Sequence, residues 1–177
     1  GKRVAIIGTG ASAVQVIPEI APIVERLTVF QRTPIWCFPK LDVPLPAPVR
    51  AAMRVPGARL AQRLASQAFV ELTFPISAQY FTVFPLAERM AAAGRRYLRQ
   101  QVRDPVVREQ LTPRYAVGCK RPGFHNGYLA TFNRDNVRLV TEPISKVTAG
   151  AVITTDDESH DIDVLVLATG FKVMDTD

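Results

Sequence analysis

Arg3-Val4-Ala5-Ile6-Ile7-Gly8-Thr9-Gly10-Ala11-Ser12-Ala13 opens the chain, and Phe30-Gln31-Arg32-Thr33-Pro34 follows it after one helix's worth of residues. The apolar run, β-branched at Val4, Ile6 and Ile7, predicts a strand buried on both faces. It stops at a glycine pair that turns the backbone into a helix. In the spacing G-x-G-x-x-G/A, Gly8 permits the tight turn, Gly10 lets an anion meet bare backbone, and Ala13 lets the helix lie close on the strand. The free N–H groups and positive dipole end of that helix then face the anion, which makes the turn a cradle for a pyrophosphate.

Glycine turns of this kind also occur where nothing binds, so the surroundings decide its reading. Val14, Ile17, Ile20, Ala21 and Val24 recur at roughly helical period, and Leu27-Thr28-Val29-Phe30 reads as a second strand. The result is a βαβ unit. Where such a unit binds NAD, an Asp or Glu about 20 residues past the glycines accepts the ribose 2′-hydroxyl. Here that place carries Gln31, Arg32 and Thr33. A carboxylate would repel a 2′-phosphate, whereas a cation flanked by two hydrogen-bonding side chains attracts one, so the residues predict NADPH/NADP⁺. A guanidinium forked onto phosphate contributes roughly 1.5–3 kcal/mol. The alternative is that Arg32 merely solvates a loop.

The 177 residues, 47% of them hydrophobic, suffice for one sizeable core, so a single domain is expected. The net charge of +6 fits an anionic ligand, a nucleic acid or an acidic partner equally well. Aromatic residues do not interleave with Arg89, Arg95, Arg96, Arg99, Arg103 and Arg108 as base-stacking platforms require, which argues against nucleic acid. Cys37 and Cys119 lie in neither a CxxC nor a His-rich neighbourhood, pointing away from disulfides and zinc and toward a reducing, cytoplasmic setting. His125 and His160 lack metal-ligand company and read as exposed loop residues. The longest uncharged stretch, Leu72 to Ala87, is too short for a membrane span and is broken by Pro75 and Pro85, though it suits a partner-facing surface.

Pro18 and Pro22 predict a kink or an early end to the first helix. A proline-punctuated connection from Pro34 to Pro48 holds Trp36, Cys37 and Phe38, which read as packing residues in an ordered loop. Residues 49–110 are rich in Ala, Arg, Gln and Leu, with Ala87, Met90, Ala91, Tyr97, Leu98 and Val102 at helical spacing, and read as a helical insertion. Asp104 before Pro105 predicts the cap and first turn of a further short helix. Leu111 to Asn136 reads as loop with a short helix around Leu129 to Phe132. Strands are expected at Val137–Val140, Ile144–Thr148, Ala151–Thr155 and Val164–Ala168, the middle two forming a hairpin and the last fully buried. The fold expected is therefore α/β: a Rossmann-like nucleotide-binding domain over residues 1–177, with a helical insertion and a β-meander. A chain that begins in a core strand and trails off after another, Lys172 to Asp177, reads as a fragment of a longer protein.

Five pieces in order, Gly8-Thr9-Gly10-Ala11-Ser12-Ala13 with Gln15, Phe30-Gln31-Arg32-Thr33-Pro34, Gly118-Cys119-Lys120-Arg121-Pro122, Thr131-Phe132-Asn133-Arg134-Asp135-Asn136-Val137 and Val166-Leu167-Ala168-Thr169-Gly170-Phe171, resemble the NADPH-binding domain of flavin-containing monooxygenases of Baeyer–Villiger type. The family's earlier glycine motif for FAD and its Phe-x-Gly-x-x-x-His stretch are absent from this sequence. The resemblance thus implies part of an enzyme in which NADPH reduces FAD and one atom of O2 enters a ketone, giving an ester or lactone, or oxidises a heteroatom. It implies that the FAD domain of the same protein is the partner, that FAD is held mainly there, and that this piece alone is inactive. Gly8, Thr9, Gly10, Ser12 and Ala13 look like pyrophosphate contacts with Gln15 beside them, and Arg32, Thr33 and Lys120 look like the 2′-phosphate clamp. Arg121 is similar to the arginine that steadies developing negative charge beside the flavin, a task suited to a cation that keeps its proton. Asn133, Arg134, Asp135 and Asn136 read as turn and packing residues, and Thr169-Gly170 as a crossing. Two alternatives stay open: the pyridine-nucleotide part of another flavin oxidoreductase, and a non-catalytic NADP(H)-binding module.

Overall fold

The structure, a computed structural model, describes residues 1–40, 42, 44–79 and 86–170, with the backbone alone at 72–79, 86 and 87. The side chains of the uncharged stretch Leu72 to Ala87 and the tail Lys172 to Asp177 lie outside the described residues. The chain runs through β1 (Arg3–Ile7), α1 (Ala11–Ile20), β2 (Arg26–Phe30), β3 (Cys37–Phe38), α2 (Ala47–Ala52), α3 (Ala58–Gln79), α4 (Leu86–Gln101) and α5 (Pro105–Gln110). It continues through β4 (Gly123–Phe124), α6 (Tyr128–Thr131), β5 (Val137–Val140), β6 (Ile144–Val147), β7 (Ala151–Thr154), β8 (Ser159–Asp161) and β9 (Val164–Leu167).

Four strands form a parallel sheet in the order β5-β2-β1-β9, and β6-β7-β8 form an antiparallel meander. The mixed α/β class with a parallel sheet and the expected hairpin, β6 with β7, are both present. Parallel strands need both faces covered. Ile6, Val4, Leu27 and Val29 pack on one side with Ala13, Val14 and Ile17 of α1 and with Tyr128, Leu129 and Phe132 around α6. Ala5 and Phe30 pack on the other side with Val140, Val152 and Ile162, so the meander closes the second face. Each fully buried Val or Ile contributes roughly 1.5–3 kcal/mol relative to exposure. Arg3 fixes the register at one end, donating from its backbone N–H and from Nη2 to Asp163, each at 2.8 Å.

Pro18 lies inside α1, which ends at Ile20 ahead of Pro22, matching the early end read from the prolines. Asp104 caps α5, its Oδ1 accepting from Val106 and Val107 N–H at 2.7 and 3.3 Å, with Pro105 in the first turn. Asn136 donates Nδ2 to Ala21 O and Val24 O, and Asn133 donates to Gln101 O, the packing roles expected of both. Trp36 and Phe38 are buried and stacked, and α4 approaches so closely that a Cβ on Gly94 would lie 2.9 Å from the Trp36 ring.

Five sequence expectations need correction. The connection after β2 is not all loop: Cys37 and Phe38 pair in parallel with Gly123 and Phe124, a contact between distant segments with no local pattern. Residues 159–161 form β8, a strand not expected between Ala151–Thr155 and Val164–Ala168, and alternation along it places only His160 inward. His160 is consequently buried, edge-on to Phe30 at 5.2 Å, rather than an exposed loop histidine. His125 is half-buried, its Nδ1 accepting from the N–H groups of Gly127 and Tyr128 at 3.0 Å, so it fixes the start of α6. Finally, β9 is not fully buried: among the described residues it is an edge strand paired only with β1, and Val164 and Leu167 are exposed.

Candidate functional site

The turn from β1 into α1 separates the duties of its two glycines. Gly8 has φ +112°, and a Cβ there would sit 2.4 Å from Ala168 O, so the neighbouring chain after β9 demands glycine. Gly10 has an ordinary φ of −77°, and a Cβ there would meet nothing within 4 Å. The bare backbone at Gly10 therefore faces open space. No side chain caps α1, and its first turn carries no acid. Its leading N–H groups and dipole end are thus open to an anion. Ala13 is wholly buried against the sheet, while Ser12 is exposed beside the turn. These features fit a pyrophosphate cradle on chemical grounds.

The loop after β2 is tied to this turn. Thr9, itself buried, donates Oγ1 to Thr33 O at 2.9 Å, which brings Thr9 and Thr33 together. Arg32 is exposed at the adjoining position. Gln31 behaves differently from expectation. It is buried and donates Nε2 to Gln110 O at 2.8 Å, so its amide N–H ties the loop to the end of α5, while its Oε1 is buried with no hydrogen-bond partner among the described residues. Gln15 is exposed and donates to Ala11 O of its own helix.

A third segment reaches the same loop. Tyr115 donates its hydroxyl to Pro34 O at 3.0 Å, and its backbone carbonyl accepts from Trp36 Nε1 at 2.9 Å. Lys120 places Nζ 5.2 Å from the centre of the Tyr115 ring. Gly118, with φ +101°, and a Cys119 N–H to Ala116 O bond turn the chain between the two. Burial pushes the Tyr115 phenol above its ordinary pKa, which keeps it a donor. Sequence reasoning missed Tyr115, because its partner Pro34 lies far away along the chain. Arg121 is exposed between Lys120 and β4 and is not drawn into this hydrogen-bonded assembly.

Neither cysteine belongs to an assembled reactive site. Cys37 is buried, and burial pushes its thiol up to about 11, while Cys119 is exposed; both are free. Among the described residues no group of His, Cys, Asp and Glu could hold a metal ion, and no helix is long and apolar enough to cross a membrane.

No family model matches the chain. Individual relatives do: a Baeyer–Villiger monooxygenase of Streptomyces coelicolor is 35% identical over 176 residues, covering 99% of this chain and 33% of the relative. Another of Pseudomonas aeruginosa is 36% identical over 179 residues with the same coverage. Among solved structures, OTEMO in complex with FAD and NADP superposes with a TM-score of 0.80 at 31% identity, covering 98% of this chain and 39% of that one. The chain is homologous to a segment of the Baeyer–Villiger monooxygenases. Its likeness to these monooxygenases extends to an oxidised steroid monooxygenase bound to NADP, with a TM-score of 0.79, 33% identity and coverage of 97% of this chain and 39% of that one. The chain spans about a third of the length of the curated Baeyer–Villiger monooxygenases it matches.

Proposed function

We propose that this chain is the Rossmann-like NADPH-binding part, residues 1–177 with a helical insertion at about 49–110, of an FAD-dependent monooxygenase that inserts an oxygen atom from O2 into a ketone or oxidises a heteroatom. The observation that carries the reading is the uncapped start of α1 beside the open backbone of Gly10, in a chain homologous to Baeyer–Villiger monooxygenases over nearly all its length. Further support comes from solved structures of like fold that hold FAD and NADP.

In this reading Thr9, Gly10, Ser12 and Ala13 hold the pyrophosphate through backbone N–H groups, with Gln15 at the edge, while Gly8, whose own N–H donates to Phe30 O at 3.0 Å, supplies the tight turn and not a contact. Arg32, Thr33 and Lys120 hold the 2′-phosphate. The nucleotide, when bound, supplies the hydride that reduces FAD carried mainly by the rest of the protein. Arg121 lies next along the chain from the clamp residue Lys120, and its permanent positive charge serves to steady negative charge developing beside the flavin. The test uses the full-length protein. FAD-bound protein that consumes NADPH and O2, and loses that activity with Arg121→Ala while still binding NADPH, supports the reading; FAD-bound protein that never consumes NADPH refutes it.

A further inference from the structure

We infer that Tyr115 is the positioning residue of the 2′-phosphate clamp, setting NADPH over NADH through Lys120 and the loop 31–34; this rests on the NADPH reading above. Tyr115 is held from two sides. Its hydroxyl donates to Pro34 O at 3.0 Å, and its carbonyl accepts from Trp36 Nε1 at 2.9 Å, so the phenol bridges to the residue directly after Thr33. Trp36 is itself buried and stacked on Phe38 under α4, which gives the bridge a rigid foundation.

The ring also serves Lys120. An ammonium on a flexible four-carbon stem loses much freedom when it captures a phosphate. Resting over the Tyr115 ring, 5.2 Å from its centre, Lys120 has given up part of that freedom beforehand, and the same residue's hydroxyl holds the loop that carries Arg32 and Thr33. A single side chain thereby couples two clamp elements that come from distant parts of the sequence. The glycine turn is joined to the same loop through Thr9 and Thr33 at 2.9 Å. Tyr115 needs no contact with the nucleotide to act in this way.

NADH has a hydroxyl where NADPH has the 2′-phosphate, so a residue acting through the clamp changes one affinity and spares the other. The full-length protein, as wild type, Tyr115→Phe and Tyr115→Leu, is titrated with NADPH and with NADH, folding being checked by circular dichroism. Tyr115→Phe keeps the ring and removes the bridge to Pro34, and NADPH affinity is expected to fall about threefold to tenfold. Tyr115→Leu removes the ring as well, for an expected loss of more than tenfold. NADH affinity is expected to stay within about twofold in both, as neither variant removes the Thr9–Thr33 bond or a backbone N–H of the glycine turn. Equal weakening of both nucleotides, or an unchanged preference for NADPH in both variants, overturns the role of Tyr115 while leaving the NADPH reading intact. A wild type that does not prefer NADPH overturns that reading and this inference together.

Discussion

Substituting alanine at Gly8 and at Gly10 is expected to give opposite outcomes, although the residues are two apart. At Gly8 the backbone sits at φ +112°, which an L side chain adopts with difficulty, and the new Cβ would lie 2.4 Å from Ala168 O. The conformational strain is roughly 1–2 kcal/mol, and displacing the chain after β9 adds roughly 1–3 kcal/mol. Gly8→Ala is therefore expected to cost about 2–5 kcal/mol, a drop in Tm of about 5–15 °C for a domain of this size. At Gly10 the φ is −77° and nothing lies within 4 Å of a new methyl. Restricting the unfolded chain stabilises by about 0.4–1 kcal/mol, offset by losing glycine's preference at a helix N-cap, so Gly10→Ala should stay within about 1 kcal/mol of wild type. Its cost falls on the ligand instead. The methyl stands where a pyrophosphate would meet bare backbone, and NADPH affinity is expected to drop at least about tenfold, about 1.4 kcal/mol. Urea and thermal unfolding read the first effect, and fluorescence titration with NADPH reads the second. Gly10→Ala that unfolds as readily as Gly8→Ala, or that binds NADPH like wild type, would refute the division of labour between the glycines.

Two further expectations concern the acid and thiol chemistry. Arg3 hydrogen-bonds Asp163 and holds its carboxyl down to about 2, against an ordinary value near 4. A folded-state pKa below the unfolded one contributes stability above about pH 4 that is lost as pH falls toward 2, so Asp163→Asn should flatten the decline in Tm across that window; an unchanged acid limb would contradict this. Burial raises the Cys37 thiol to about 11 while Cys119 is exposed, so thiol-specific alkylation of the native protein at pH 8 should label Cys119, with Cys37 reacting only after unfolding. Peptide mass analysis that finds Cys37 labelled first would overturn it.

The sequence was most legible where function and fold impose the same local chemistry. The β1-turn-α1-β2 unit could be read because Gly8 needs glycine for its backbone and Ala13 must be small to lie against the sheet, with Gly10 between them at the motif's spacing, and the apolar run before them has few other uses. Asp104-Pro105 was legible for a similar reason, a cap and a first-turn proline being local devices. Contacts between distant segments left no such trace. Cys37 and Phe38 join Gly123 and Phe124 across the chain through backbone hydrogen bonds that any sequence can supply, and the Tyr115 hydroxyl donates to a backbone carbonyl, Pro34 O, of the kind every residue carries. Gln31 was misread because a polar residue at a strand end looks available for a ligand, and only the position of Gln110 O shows it turned inward. His160 and β9 were misread through burial: His160 lies inward on a strand with polar neighbours, while Val164-Leu165-Val166-Leu167, apolar throughout, forms an edge.

Nucleotide choice at the loop after β2 is the most direct test of the central claim. The full-length protein and its Arg32→Ala variant would be titrated with NADPH and NADH at low and moderate salt. The account predicts that wild type binds NADPH more tightly, that the advantage shrinks as salt screens the exposed guanidinium, and that Arg32→Ala loses about one to two decades of NADPH affinity while NADH binding is unchanged. Equal affinity for the two nucleotides in wild type, or an advantage for NADPH that survives Arg32→Ala intact, would contradict it.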